Sequence, residues 1–440
     1  MNVYDQYKTV NKKLICDEKI HFSEITGNRS DYHGQINTNR LLKYPKIGIY
    51  TGRGTSHSWL WFVEIFDRMG FYDLSFLTEA NIRARSLDGL DVLAMSGGDT
   101  FAIAEGLGEK GAEKLERFIK NGGVYLGSCA GAYLPLNSSK KHLNLFNYVP
   151  VKIANLTNVL PAACGPIEKF CSSYGCSFIF HPVREDVRLT TNGLIPFIGV
   201  ESLVAPLYGG PSMLTNDPSQ ILAKYTGFTD KTLFLIDRKI ARDTLLGKAA
   251  VIRAKMGEGH LYLFGPHFEH PHFPVANKLL ADAMYWDVRS SSPPKESIDR
   301  DEMNIQGCNI KDYLRDIKRE ISNSRIVNAG METMPVHWTI GNKIYEPAKI
   351  RVFIEAIWLR IKILEKVEEL TMRRGNDALL IQHASEITSL LREIKRHNNK
   401  GIDTLNIAKK LFKILNKTCS LFLDMYFRSK IHHFGQQNEA

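Results

Sequence analysis

Nowhere in this 440-residue chain do apolar residues run long enough to cross a bilayer; the longest stretches have the length of strands, which excludes a helical membrane span. The opening residues, MNVYDQYKTVNKKLICDEKIHFSEI, contain no apolar core of the secretory type, so a cytoplasmic location is expected. Cysteine is sparse, seven residues and an odd number, which excludes a disulfide scaffold. Three of the seven, Cys164, Cys171 and Cys176, share the segment CGPIEKFCSSYGCSFIFH with His181. None of those spacings is the knuckle of roughly two to four residues that zinc sites use, so small buried side chains and no metal are expected. Charge of one sign is not concentrated either. The formal net charge is +10, and from Lys295 onward 25 Lys and Arg face 19 Asp and Glu. The densest basic run, REIKRHNNKG, has no interleaved aromatics and reads as a solvated helix face rather than a nucleic-acid surface. There is no internal repeat or low-complexity tract, and no cofactor is called for.

What is present is ordinary globular composition, 44% hydrophobic and 24% charged, in a chain long enough for two domains. Residues 1–44 lack clear periodicity and read as an arm or cap. Regular alternation begins at Lys46: KIGIY reads as a strand, SHSWLWFVEIFDRMG as a helix capped by Ser56 and stopped by Gly70, and DLSFL as a second strand. DVLAMSGGDT is a strand entering a Gly-rich loop, GAEKLERFIKNGG a helix closing on glycine, and VYLGSCAG a strand entering a turn. Strands and helices alternating through short connections imply an α/β fold, a mostly parallel sheet flanked by helices. Such sheets bind ligands at the carboxyl ends of their strands, where both Gly-rich loops lie. Past Pro150 the pattern loosens until Ala249–Lys255 and His260–Phe264, two strands around Gly257-Glu258-Gly259, and the helix VANKLLADAMYWDV follows. RSSSPPKES is the best domain boundary. The expected division is an arm at 1–44, an α/β domain at 45–290, a linker at 291–309 and an all-helical domain of about four helices at 310–440. The stripe Ile354, Ile357, Ile361 and Leu364 in that helical part is a face to be covered, either inside the bundle or by a protein partner or second copy.

Cys129 is the residue on which function turns. A nucleophile elbow sets a reactive side chain on a sharp strand-to-helix turn with small residues on both sides, and Gly127-Ser128-Cys129-Ala130-Gly131 has that form. The start of a helix favours thiolate. The Ala130 amide and one from Gly97 or Gly98 would serve as oxyanion donors. Taken alone the pattern fits a reactive elbow and an inert tight turn equally well. At the end of another strand, LFGPHFEHP offers His267 as the base for Cys129 and Glu269 to orient the imidazole. His260, His270 and His272 read as structural.

The order of SGGDT, GSCAGAYL and a late GPHFE resembles the class I glutamine amidotransferase superfamily. GGDTFAIAEGLG, GSCAGAYL and PLYGGPSM are most similar to the amidotransferase-like N-terminal domain of eukaryotic biotin-protein ligases and its stand-alone relatives. The resemblance spans roughly residues 45–288. It implies a flavodoxin-like sheet, Cys129 as nucleophile, His267 as base, Glu269 as orienter, an oxyanion site around Gly97, Gly98 and Ala130, and a pocket wall from Tyr208, Gly209, Gly210 and Pro211. TGRGTSHSW is similar to the adenylate loop of biotin ligases, but it follows the first strand of the sheet and no ligase domain is visible; its plainer reading is a Gly-rich turn where Arg53 would hold a substrate carboxylate. In two places the chain departs from the superfamily. Tyr133 stands where glutaminases present a polar residue to the substrate, and His-Phe-Glu replaces His-Pro-Glu. The expected function is a cysteine-dependent amide hydrolase or amidotransferase for a small-molecule or peptide-like amide, working through a thioester. The alternative is a binding or regulatory protein that keeps the fold without turnover.

Overall fold

The computed structural model describes residues 2–26, 40–84, 87–156, 179, 181–193, 196–197, 199–288, 302–306, 308–341 and 343–436. The chain divides into two compact units, Met1–Phe71 with Leu77–Pro294, and Tyr72–Phe76 with Lys295–Ala440. Cys164, Cys171 and Cys176 lie outside the described residues.

The chain opens with helices α1 (Val3–Ile15) and α2 (Ser23–Thr26), then alternates β1 (Ile47–Tyr50), α3 (Trp59–Met69), β2 (Leu74–Leu77), α4 (Glu79–Ala84), β3 (Val92–Met95), α5 (Thr100–Lys120), β4 (Val124–Ser128) and the single turn α6 (Ala130–Tyr133). It continues through β5 (Lys152–Ile153), β6 (Val183–Thr191), β7 (Ser202–Leu207), β8 (Met213–Leu214), β9 (Ile221–Phe228), β10 (Leu233–Phe234), α7 (Arg238–Leu245), β11 (Ala249–Met256), β12 (Gly259–Phe264) and α8 (Pro274–Asp287). Within the first unit the main path of the sheet runs β10-β6-β9-β11-β12-β4-β3-β1. From β12 through β4 and β3 to β1 the pairings are parallel, and from β12 through β11 and β9 to β6 they are antiparallel. β1, β3, β4 and β12 are buried along their whole length, as strands covered on both faces must be.

Local chemistry sets the helix ends. Asp99 caps α5 by accepting from the amides of Phe101 and Ala102 at 3.1 and 3.2 Å, and Gly108 at φ 59° kinks it. Gly70, at φ 83°, ends α3 as its sequence predicts. Ser56 is not the cap: α3 starts at Trp59, and the Ser56 hydroxyl instead donates to the Gly97 carbonyl at 3.0 Å.

Elsewhere the structure adds to what the sequence suggests. In the segment expected to be an arm or cap, α1 buries Tyr7, Val10, Asn11 and Leu14, spacing that puts them on one helix face. Part of that face is polar: Tyr7 OH donates to Asp282, Tyr285 OH to Asn11 Oδ1, and Asn11 Nδ2 to the Met69 carbonyl at 2.8 Å. The loose stretch after Pro150 contains the long antiparallel strands β6, β7 and β9. The described residues of the C-terminal part, expected to be all-helical, form four long helices with two added ribbons. The helices are α9 (Cys308–Glu332), α10 (Pro347–Leu364), α11 (Asn376–Asn398) and α12 (Leu405–Gln436). One ribbon pairs β13 (Glu302–Gln306) with β16 (Glu369–Arg373), and the other pairs β14 (Trp338–Ile340) with β15 (Lys343–Tyr345). β13 falls inside the stretch expected to be linker; paired with β16 it gains backbone bonds that its short sequence does not advertise. Ile354, Ile357, Ile361 and Leu364 are buried on α10, which packs on α9 and α12.

Candidate active site

β4 delivers the cysteine. Cys129, next after the strand, has φ 53° and ψ −106°, a conformation that side chains other than glycine rarely adopt, and α6 follows at once. Space explains both flanking glycines. A Cβ on Gly127 would lie 2.5 Å from the Gly131 carbonyl oxygen, and one on Gly131 would lie 2.1 Å from that of Met95. The Gly-x-Cys-x-Gly spacing is therefore a steric requirement of this turn.

β12 brings the histidine. It runs parallel beside β4 with Phe264 opposite Ser128, and the Phe264 carbonyl accepts from Cys129 N at 3.0 Å. Gly265 and Pro266 then turn the chain. His267 N donates to the Pro206 carbonyl at 2.8 Å, and Asn277 Nδ2 donates to the carbonyls of Phe268 at 2.6 Å and His270 at 3.0 Å. The loop is thus pinned by β7 and by α8. His267 Nδ1 lies 2.6 Å from Glu269 Oε1, and the same side chain hydrogen-bonds Cys129. All three groups are buried, with 4%, 3% and 0% of Cys129, His267 and Glu269 exposed.

Burial alone would lower the His267 pKa, but the Glu269 carboxylate and the neighbouring Cys129 outweigh it and push the imidazole up to about 10. Next along the loop, His270 is brought down to about 4 by burial and by the charges of His267 and His272, so it is neutral where His267 is charged.

Of the remaining expected residues, some join this centre and some do not. Gly97 adjoins it: a Cβ there would meet His267 Cε1 at 2.8 Å, Ser58 Oγ at 3.0 Å and Cys129 Cβ at 3.5 Å. Among the described residues, the amides of Gly97, Gly98 and Ala130 have no hydrogen-bond acceptor. The Tyr208 ring lies 5.6 Å from that of His267. Gly209 approaches the buried His181 ring, and Gly210 packs so close to Gly265 that a Cβ would fall 1.8 Å from its carbonyl oxygen. The exposed Arg53 guanidinium lies 2.7 Å from Glu105. The Tyr133 phenol is buried and accepts from Asn155 Nδ2 at 2.9 Å, while Asn155 Oδ1 accepts from Ser212 N at 3.1 Å. Among the described residues no cluster of His, Cys, Asp and Glu could hold a metal ion, and no helix is long and apolar enough to cross a membrane.

Two neighbours were missed in the sequence. Ser128, read only as a small spacer, donates from Oγ to Glu269 Oε2 at 2.7 Å; its signal is a serine closing a strand of Val, Tyr, Leu and Gly. Trp61 of α3 sets its ring 5.2 Å from His267 and 4.5 Å from His270, and nothing in the local pattern separates it from a core tryptophan.

A mixed sheet flanked by helices, whose parallel half sets the cysteine and histidine after the carboxyl ends of adjacent strands, is an α/β fold of flavodoxin-like type. Residues 46–142, from β1 past the cysteine turn, match the family described as biotin-protein ligase, N terminal. No curated protein matches the chain significantly in sequence. Among solved structures it is similar to a candidate GMP synthase component from Thermoplasma acidophilum, at 13% identity over 54% of this chain and 92% of that one, with a TM-score of 0.34. A glutamine amidotransferase matches at 16% identity over 54% and 98%, TM-score 0.34. A ThuA-like protein from Bacteroides uniformis matches at 17% over 61% and 99%, TM-score 0.33.

Proposed function

We propose that the protein is a cysteine-dependent amide hydrolase or amidotransferase of the glutamine amidotransferase type, acting on a small-molecule or peptide-like amide. The observation that carries this reading is the buried Cys129 on a strained turn, hydrogen-bonded to a charged His267 that has Glu269 2.6 Å behind it. The Cys129 thiolate attacks the amide carbon, and the oxyanion is held by the amide of Ala130 and one from Gly97 or Gly98. As the C–N bond breaks, the His267 imidazolium gives its proton to the departing nitrogen, leaving an acyl thioester on Cys129 and a neutral imidazole. That imidazole takes a proton from water, the hydroxide oxygen attacks the thioester carbon, and the sulfur leaves as thiolate beside the restored imidazolium. Glu269 stays ionised throughout and keeps the ring oriented. Tyr208 walls the pocket.

Free glutamine is a poor substrate in this reading, because the Tyr133 phenol is buried and committed to Asn155, and a site that lacks the polar anchor discriminates strongly. The test is ammonia or amine release from glutamine beside a panel of amides, with trapping of the acyl thioester by mass spectrometry. Turnover that Cys129→Ala abolishes supports the reading. A Cys129 that forms no adduct with any amide and alkylates only above neutral pH would instead mark a silent, ligand-binding member of the fold.

A further inference from the structure

The cysteine turn contributes two consecutive side chains to this centre. Ser128 is fully buried, as is Glu269, and its Oγ lies 2.7 Å from Glu269 Oε2 and 3.5 Å from His267 Nδ1. Glu269 Oε1 is taken by His267 Nδ1 at 2.6 Å. The two carboxylate oxygens therefore have one donor each, from two different strands' ends, and the carboxylate cannot turn about its terminal bond without losing both. A serine is at no disadvantage in this role at the end of β4, but it is an odd choice by packing alone, because the four residues before it are Val, Tyr, Leu and Gly, all buried.

We infer that Ser128 is a positioning residue of the site, holding the Glu269 carboxylate so that Oε1 stays on His267 Nδ1 and the opposite ring nitrogen stays turned to Cys129. The inference deepens the proposed cysteine chemistry and rests on it for the naming of Cys129 as nucleophile. A hydrogen bond to an ionised group is among the stronger ones, and a buried carboxylate oxygen deprived of its donor draws in water or rotates. Either movement takes the carboxylate away from Nδ1 and removes support from the imidazolium. Other titratable groups also face or flank the ring: Cys129 on the elbow, His270 on the same loop, Tyr208 after β7, and His57, which packs on the same Trp61. Tyr225, on β9, feels the Cys129 charge. Of these only Cys129 and Glu269 raise the His267 pKa.

The full chain, labelled with 13C at histidine Cε1, is titrated by NMR, with the His267 signal assigned by its absence from His267→Gln. Loss of the donor in Ser128→Ala moves the His267 step, about 10 in the wild type, down by about one pH unit, equivalent to about 1.4 kcal/mol of lost support for the charged ring. Ser128→Thr, which keeps the hydroxyl, restores the wild-type step. A role in packing alone predicts a lower thermal midpoint with the titration unmoved, and an unmoved His267 step in Ser128→Ala overturns the inference. If Ser128→Ala does not fold, Ser128→Cys, of similar volume with a weak donor, is titrated in its place and must show the same downward shift. Amide turnover in the wild type is a separate reading: its absence sinks the proposed function but leaves the titration result to stand or fall alone.

Discussion

Adding one methyl group at Gly97 tests the geometry most directly. The new Cβ of Gly97→Ala would stand 2.8 Å from His267 Cε1, about 0.7 Å short of ordinary carbon–carbon contact near 3.5 Å, and 3.0 Å from Ser58 Oγ. The imidazole has little freedom to retreat. Glu269 holds Nδ1 at 2.6 Å, and the rings of Trp61 and Tyr208 stand 5.2 and 5.6 Å away. Overpacking of this kind costs about 1–3 kcal/mol, which for a unit of this size lowers the thermal midpoint by several degrees. The larger effect falls on the pair itself: a ring displaced by much of an ångström loses its hydrogen bond to Cys129, and misplacement of that order reduces rates by about ten- to a hundredfold. Iodoacetamide alkylation of Cys129, quantified by mass spectrometry at pH 7, needs no substrate and reads the thiolate directly. A slowing of about tenfold or more with the fold retained is expected. Wild-type alkylation at an unchanged midpoint would refute the placement of the ring against Gly97.

The strained turn predicts that Cys129→Gly is more stable than Cys129→Ala by about 1 kcal/mol, because glycine alone relieves φ 53°, and denaturant titration of the two variants decides it. Both should lose amide turnover by several orders of magnitude, on the order of a million-fold, if Cys129 is the nucleophile. The His267 pKa is raised from its ordinary value of about 6.5 to about 10, so its charge stabilises the fold fully below pH 6.5 and that contribution is lost as pH rises through 10; the excess stability of the wild type over His267→Gln should shrink across this window. Asn11→Ala strands the Tyr285 hydroxyl and the Met69 carbonyl in a buried interface, so a loss of about 2–4 kcal/mol is expected by chemical denaturation, whereas a change under about 0.5 kcal/mol would mean that water replaces the amide.

The parallel half of the sheet was legible because its strands are short, wholly buried and punctuated by glycine near their ends, so period and boundary agree in β1, β3 and β4. The same punctuation let the sequence suggest that Cys129, His267 and Glu269 meet, since both segments follow strands that a parallel sheet sets side by side. Two neighbouring strand ends suffice for that guess; they do not give the hydroxyl of Ser128 or the ring of Trp61, whose roles depend on where side chains point after the chain turns. α1 escaped notice because its buried face pairs Tyr7, Val10 and Leu14 with an asparagine, and hydropathy counts Asn11 as solvent-facing when tertiary partners bury it. β6 has a broken inside-outside alternation, and the bulge between Arg188 and Leu189 shifts its register against β9, which blurs a period of two. Arg53 was singled out by a Gly-rich turn at the carboxyl edge of the sheet, and its guanidinium meets Glu105, 52 residues on, a pairing that no local pattern announces.

The polar docking of α1 also has a consequence for synthesis. Tyr7 and its acceptor Asp282 are separated by 275 residues in the chain. At ribosomal rates of about 5–20 residues per second, the helix emerges on the order of 15–55 seconds before the residues that receive it. Through that interval a wholly apolar face would offer itself to any other exposed nascent surface. A face that carries an amide and a phenol stays hydrated while it waits, and becomes adhesive only when Asp282, Tyr285 and the Met69 carbonyl are all in place to take up its hydrogen bonds.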